Sequence, residues 1–154
     1  MQPSPELIGL LAQACERLVG SVFGALDDEG FPGLPTSAAL AVRVLAGGPA
    51  TSVSLATALG VTPQAAGRVT ADLEQRGLVQ RGVDSRDARV RPLTLTASGR
   101  RLAETLRRAE VTAVELWASA ASPADLAATA RALQAYLDVS TPPPARQQRR
   151  MRFT

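Results

Sequence analysis

Apolar residues recur along this chain at two periods, and the change from one to the other marks its organisation. Leu7, Leu11, Ala14, Leu18 and Val22 repeat at helical spacing, which predicts a first helix with one apolar stripe. Ser4 would cap it and Pro5 would take its first position. The Gly- and Pro-rich run from Asp27 to Pro35 ends it. Thr36 is expected to cap a second helix through Leu45, stopped by Gly47-Gly48-Pro49. Thr51 caps a short third helix carrying Val53, Leu55, Ala56 and Leu59. Gly60-Val61-Thr62-Pro63 then forms a tight turn, with Thr62 as cap and Pro63 opening a fourth helix that runs to about Arg76 and stops at Gly77.

Beyond Gly77 the period shortens. Leu78-Val79 and Leu93-Thr94-Leu95 can pair as the strands of a hairpin, and Pro92, which has no N–H to donate, puts its strand at an edge or in an irregular stretch. Helical spacing returns after Thr96 or Ser98, with Leu102, Leu106, Ala109, Ala113, Leu116 and Ala120 on one face. Ser122-Pro123-Ala124-Asp125 has nearly the spacing of a capping box and starts a sixth helix bearing Leu126, Ala130, Leu133 and Leu137.

This order predicts a mainly α, α+β winged helix: a winged helix-turn-helix at residues 36–96 between an N-terminal helix and loop (1–35) and two C-terminal helices (97–139). The last segment, 140–154, holds Pro142-Pro143-Pro144 and then Arg146, Arg149, Arg150 and Arg152 without an acid, and is expected to be a disordered basic tail. Both outer segments carry more apolar surface than one helix can hide. A second copy of the chain would cover it, making a homodimer; a bundle within one chain would cover part.

Composition narrows the function. The chain is 45% hydrophobic but only 3% aromatic, so its core is built from Leu, Val and Ala, which suits packed helices. Net charge is +3, too small to argue for nucleic acid by itself. All basic residues are Arg and His is absent, which removes the usual general base and the commonest metal ligand. With one Cys as well, no zinc site and no Ser–His or Cys–His hydrolase is expected, and no cofactor or enzymatic activity. Uninterrupted apolar runs such as Ala38 to Val42 fall short of a membrane span, and a lone Cys agrees with a cytoplasmic location.

The helix-turn-helix carries the candidate chemistry. Ala66, Val69 and Leu73 can face the core, which leaves Gln64, Ala65, Gly67, Arg68 and Thr70 on other faces near the helix start. Gln pairs with adenine, Arg with guanine or phosphate, and Ala touches a thymine methyl, so Gln64, Ala65, Arg68 and Thr70 are the candidate contacts to double-stranded DNA. The plainer alternative is a helical hairpin with a solvated Gln and Arg. Gly67 costs about 1 kcal/mol relative to Ala inside a helix, and close approach to DNA or to a neighbouring helix would account for it.

Leu55-Ala56-Thr57-Ala58-Leu59-Gly60-Val61-Thr62-Pro63, Leu73-Glu74-Gln75-Arg76-Gly77-Leu78-Val79, Asp84-Ser85-Arg86-Asp87-Ala88-Arg89 and Leu95-Thr96-Ala97-Ser98-Gly99 together resemble the MarR family of bacterial transcription regulators. The resemblance implies a triangular homodimer whose outer helices form the interface and whose two winged domains read a pseudo-palindromic operator, most often as a repressor. It implies Arg86 as the wing-tip contact, and Asp84 and Arg89 as a pair that holds the wing, with Arg89 also able to reach phosphate. It also implies a small-molecule effector, and in one branch a peroxide-sensing Cys in the first helix, here Cys15. Cys15 lies on the stripe of Leu11, Leu18 and Val22, as a buried structural thiol would, and the only Tyr is the distant Tyr136. The competing class is a winged-helix module that binds protein and not DNA.

Overall fold

The structure, a computed structural model, describes residues 6–82 and 92–139. Within them lie α1 (Glu6–Asp28), α2 (Thr36–Ala46), α3 (Ser52–Leu59), α4 (Pro63–Gln75), β1 (Val79–Arg81), β2 (Leu93–Leu95), α5 (Ala97–Ala118) and α6 (Pro123–Val139). The expected start of α1 at Ser4 and Pro5, the wing run from Asp84 to Arg89 and the basic tail lie outside the described residues.

Local signals in the sequence account for most of the helix ends. The Thr51 hydroxyl accepts from the Ser54 N–H while the Ser54 hydroxyl accepts from the Thr51 N–H, a reciprocal box that opens α3. At its far end Gly60 takes the left-handed conformation (φ 63°), and Val61 N–H donates to the Ala56 carbonyl. Thr62 caps α4 with Pro63 in its first turn. Gly77 (φ 69°) ends α4 as Leu78 N–H reaches back to the Leu73 carbonyl. Ser122 and Asp125 exchange hydrogen bonds at the start of α6. One cap differs from expectation. Thr36 is the first residue of α2 and Pro35 is its N-cap, with no side-chain bond; the Pro35 carbonyl accepts from Ala38 and Ala39.

β1 and β2 pair antiparallel, Val79 opposite Leu95 and Arg81 opposite Leu93. Ala50 adds a third, one-residue rung by exchanging both hydrogen bonds with Leu93, at 3.1 and 2.8 Å. The core sits where this small sheet meets α2, α4 and the first half of α5: Val42, Leu55, Leu73, Leu93 and Leu102 are fully buried. Gly99 seals the joint. A Cβ there would overlap the Leu78 carbonyl oxygen, so α5 docks on the head of β1 only because position 99 has no side chain. The Thr96 hydroxyl caps α5 and itself donates to the Gly77 carbonyl at 2.7 Å.

The outer helices differ. α1 lies along α5 and buries Leu26 completely, but Leu11, Ala14, Leu18 and Val22 are only half-buried, and Leu7, Ile8 and Leu10 are exposed. α5 buries its stripe through Ala113 and then opens, with Leu116 exposed. α6 buries no residue. The expectation that no segment could span a membrane needs correcting: α1 is long and apolar enough by length and composition, with a mean hydropathy of 1.3 over its most apolar 18 residues. Leu, Ile, Val and Phe keep the average high while Gln13, Glu16 and Arg17 interrupt the apolar run, which is why counting runs misses it.

Candidate nucleic-acid interface

α3 and α4 form the helix-turn-helix, and the period of α4 divides its residues cleanly. Ala66, Thr70 and Leu73 are buried, and Val69 is half-buried against the same core. Gln64, Arg68, Ala71 and Gln75 are exposed, spaced by four, three and four, so they line one outward face. Ala65 and Gly67 are half-exposed beside them. Ala71 and Gln75 belong to this face on spacing alone, a signal present in the sequence but passed over in favour of the helix start.

Thr70 is a correction. It is fully buried and its hydroxyl donates to the Ala66 carbonyl at 2.9 Å, so it is a core residue and no DNA contact. A Thr four residues after Ala66 can satisfy its own hydroxyl on the helix backbone and then pack as an apolar residue. Gly67 also becomes clearer. A Cβ there would meet nothing within 4 Å, so no neighbouring helix of this chain requires the glycine.

Charge along α4 is polarised. From residue 30 to residue 71 the chain has no Asp or Glu, while Arg43 and Arg68 lie within that stretch. The acids of α4 come in its second half and are engaged: Asp72 with Arg76 at 3.0 Å and Glu74 with Arg81 at 2.9 Å. Among the described residues Arg68 makes no ion pair, so its guanidinium remains available. The amino end of α4, where helix N–H groups and their partial positive charge collect, thus presents Gln64 ahead of the helix's acids, with Arg68 a turn further on and its i+4 neighbour Asp72 paired with Arg76. The Glu74–Arg81 pair ties the outward helix to the strand that leads toward the hairpin tip. Asp84, Arg86 and Arg89, expected at the wing tip, lie outside the described residues.

Two other expectations can be placed. Cys15 is exposed, contrary to a buried thiol: Ala14 and Leu18 turn toward α5 and carry Cys15 away from it. Of the aromatic residues, Phe31 is buried in the core under the Arg101 guanidinium, 4.9 Å from the ring centre. Phe23 lines a cavity of about 370 Å³ between α1, α2 and α5, and Trp117 lines a smaller one between α1 and α5.

Residues 33–90 match the model of the MarR family. No match to a curated protein is found. Among solved structures, Rv1404 from Mycobacterium tuberculosis is similar with a TM-score of 0.71 at 24% identity, over 91% of this chain and 97% of that one. FabT from Streptococcus pneumoniae, in complex with DNA, gives a TM-score of 0.71 at 21% identity, over 88% and 96%. MepR, a transcription regulator of the Staphylococcus aureus multidrug efflux pump MepA, gives 0.65 at 18% identity, over 89% and 98%. At these identities the likeness is one of fold, and it extends over nearly the whole of each chain, outer helices included. The matched segment thus resembles the MarR family, and the chain around it has the fold of these solved structures.

Proposed function

We propose that this protein is a sequence-specific DNA-binding transcription regulator of the MarR type, working as a homodimer on a pseudo-palindromic operator and acting as a repressor. The observation that carries this reading is the outward face of α4: Gln64 and Arg68 exposed at the capped, acid-free end of a helix-turn-helix. Arg68 is the base or phosphate contact, Gln64 a base contact, and Ala65 lies close enough to the same end to touch a thymine methyl. Arg86 and Arg89 of the hairpin tip add phosphate contacts, with Asp84 holding the tip.

The exposed apolar ends of α1 and α6 support the dimer. Leu7, Ile8 and Leu10 on one, and Tyr136, Leu137 and Val139 on the other, are exposed among the described residues. The cavity between α1, α2 and α5 supports a small effector, since its walls are mostly apolar and their charged part is the Arg43–Glu110 ion pair, at 3.1 Å.

Titration of the purified protein against the DNA upstream of its own gene, at several salt concentrations, tests the reading. Operator binding should weaken with salt along a log–log slope of about −0.9 for each neutralised phosphate. Binding that ignores salt, or no preference for any upstream sequence, would sink it in favour of a protein-binding module.

A second reading, peroxide sensing, rests on the exposure of Cys15. Loss of operator binding on mild oxidation that Cys15→Ser prevents would support it; oxidation without effect would remove it.

A further inference from the structure

The connection between α1 and α2, residues 29–35, is pinned from three directions, and arginines do most of the pinning. From α5, Arg108 approaches Glu29 at 3.8 Å and Arg101 lies over the Phe31 ring at 4.9 Å. From α1, Asp27 accepts the Gly33 N–H at 3.2 Å. From the C-cap of α4, the Arg76 guanidinium donates to the Gly33 carbonyl at 3.3 Å. Among the described residues of α4 and its C-cap, Arg76 is the one side chain that hydrogen-bonds to this connection. Its direction is fixed: both Asp72 carboxylate oxygens accept from the Arg76 Nε, at 3.1 and 3.0 Å, and turn the far nitrogen toward Gly33. A guanidinium can do both because its donors form a rigid planar fork, which an ammonium lacks.

We infer that Arg76, oriented by Asp72, is a positioning residue that sets the angle of α4 relative to α1. The inference rests on the proposed reading of paired half-sites by a homodimer. α4 already packs on α2 and α3 within the winged unit, so loss of Arg76 leaves that unit folded. What it removes is a polar tie between the carboxyl end of α4 and the segment that leaves α1. Two heads tied in this way present their α4 helices at a fixed separation; without the tie, that separation is held less tightly.

The test uses the full-length protein and three duplexes: the footprinted operator, the same operator with two base pairs inserted between its half-sites, and a single half-site. For the wild type the insertion should lower affinity about tenfold or more, because two heads of fixed separation no longer engage together. Arg76→Ala is expected to reduce that penalty to about threefold or less, with single-half-site affinity within about twofold of the wild type. Asp72→Asn should act in the same direction more weakly, and Arg76→Lys should fall between wild type and Arg76→Ala. An insertion penalty unchanged in both Arg76→Ala and Asp72→Asn overturns the inference. So does a loss on the single half-site as large as that on the operator, which marks Arg76 as a direct contact or a stability residue. If the wild type binds none of the duplexes, the DNA-reading proposal itself falls and takes this inference with it.

Discussion

α2 and α6 are both amphipathic on paper, yet they meet opposite fates. α2 buries five residues, Ala38, Ala39, Ala41, Val42 and Leu45, whereas α6 buries none. The difference is in what each finds to pack on. α2 lies at the centre of the winged unit, in contact with α3, α4, α5 and β2, while α6 has no comparable neighbour among the described residues. An apolar stripe is thus a statement of demand, and the sequence does not say whether the same chain meets it.

Five substitutions break or sharpen that contrast. The largest effect is expected from Leu73→Ala in the fully buried core, which should destabilise by about 2–5 kcal/mol in chemical denaturation. Leu137→Ala on exposed α6 should change protomer stability by no more than about 0.5 kcal/mol. If it lowered the midpoint as much as Leu73→Ala at every protein concentration, the contrast between the two regions would collapse. Gly99→Ala comes next. The new methyl must push against the Leu78 backbone, and a loss of about 1–3 kcal/mol in thermal or chemical melting should follow.

Thr51→Ala removes one half of the box that opens α3 and should cost about 1 kcal/mol, read as a lower melting temperature with unchanged helix content. The smallest effect belongs to Glu104→Gln on the exposed side of α5. The hydrogen bond and charge of Arg107 hold the Glu104 carboxyl below its ordinary range. Its contribution is therefore present above the ordinary carboxylate value and fades as pH falls through the lowered folded-state value. Because both groups are solvent-exposed, melting curves of the variant and wild type should differ least of all, and only at neutral pH, not in acid.

Much of the fold was legible because its signals are local. Thr51, Thr62 and Thr96 as caps, Gly60 and Gly77 as stops, and the 3.6-residue stripes each act within one helical turn. What escaped was either non-local or ambiguous in period. The rung between Ala50 and Leu93 joins positions far apart in the chain, and no single-segment pattern announces it. Pro35 caps α2 with its carbonyl alone, so the side-chain rule points one residue too late. Thr70 and Val69 both fit the inner face after Ala66; the choice depends on whether a hydroxyl can be satisfied internally, which only packing decides. Cys15 misled in the same way, since Leu11 and Leu18 are shared by two stripes and α5 engages the one through Ala14. At the site, Gln64 and Arg68 follow from spacing and residue type, while the pairing of Asp72 and Glu74 with other arginines emerges from the structure.

The tight seating of Gly99 on Leu78 has a mechanical meaning. α5 has 22 residues, which at the usual rise makes a rod about 33 Å long, anchored at its first turn to the sheet and along its middle to α1. There is no side chain at the anchor to act as a cushion, so the rod and the sheet turn as one piece. A tilt of about 3° at the anchored end carries the far end through about 1.7 Å. The helix is a lever in outline: a small movement at its anchored end is delivered, undamped, to its far end.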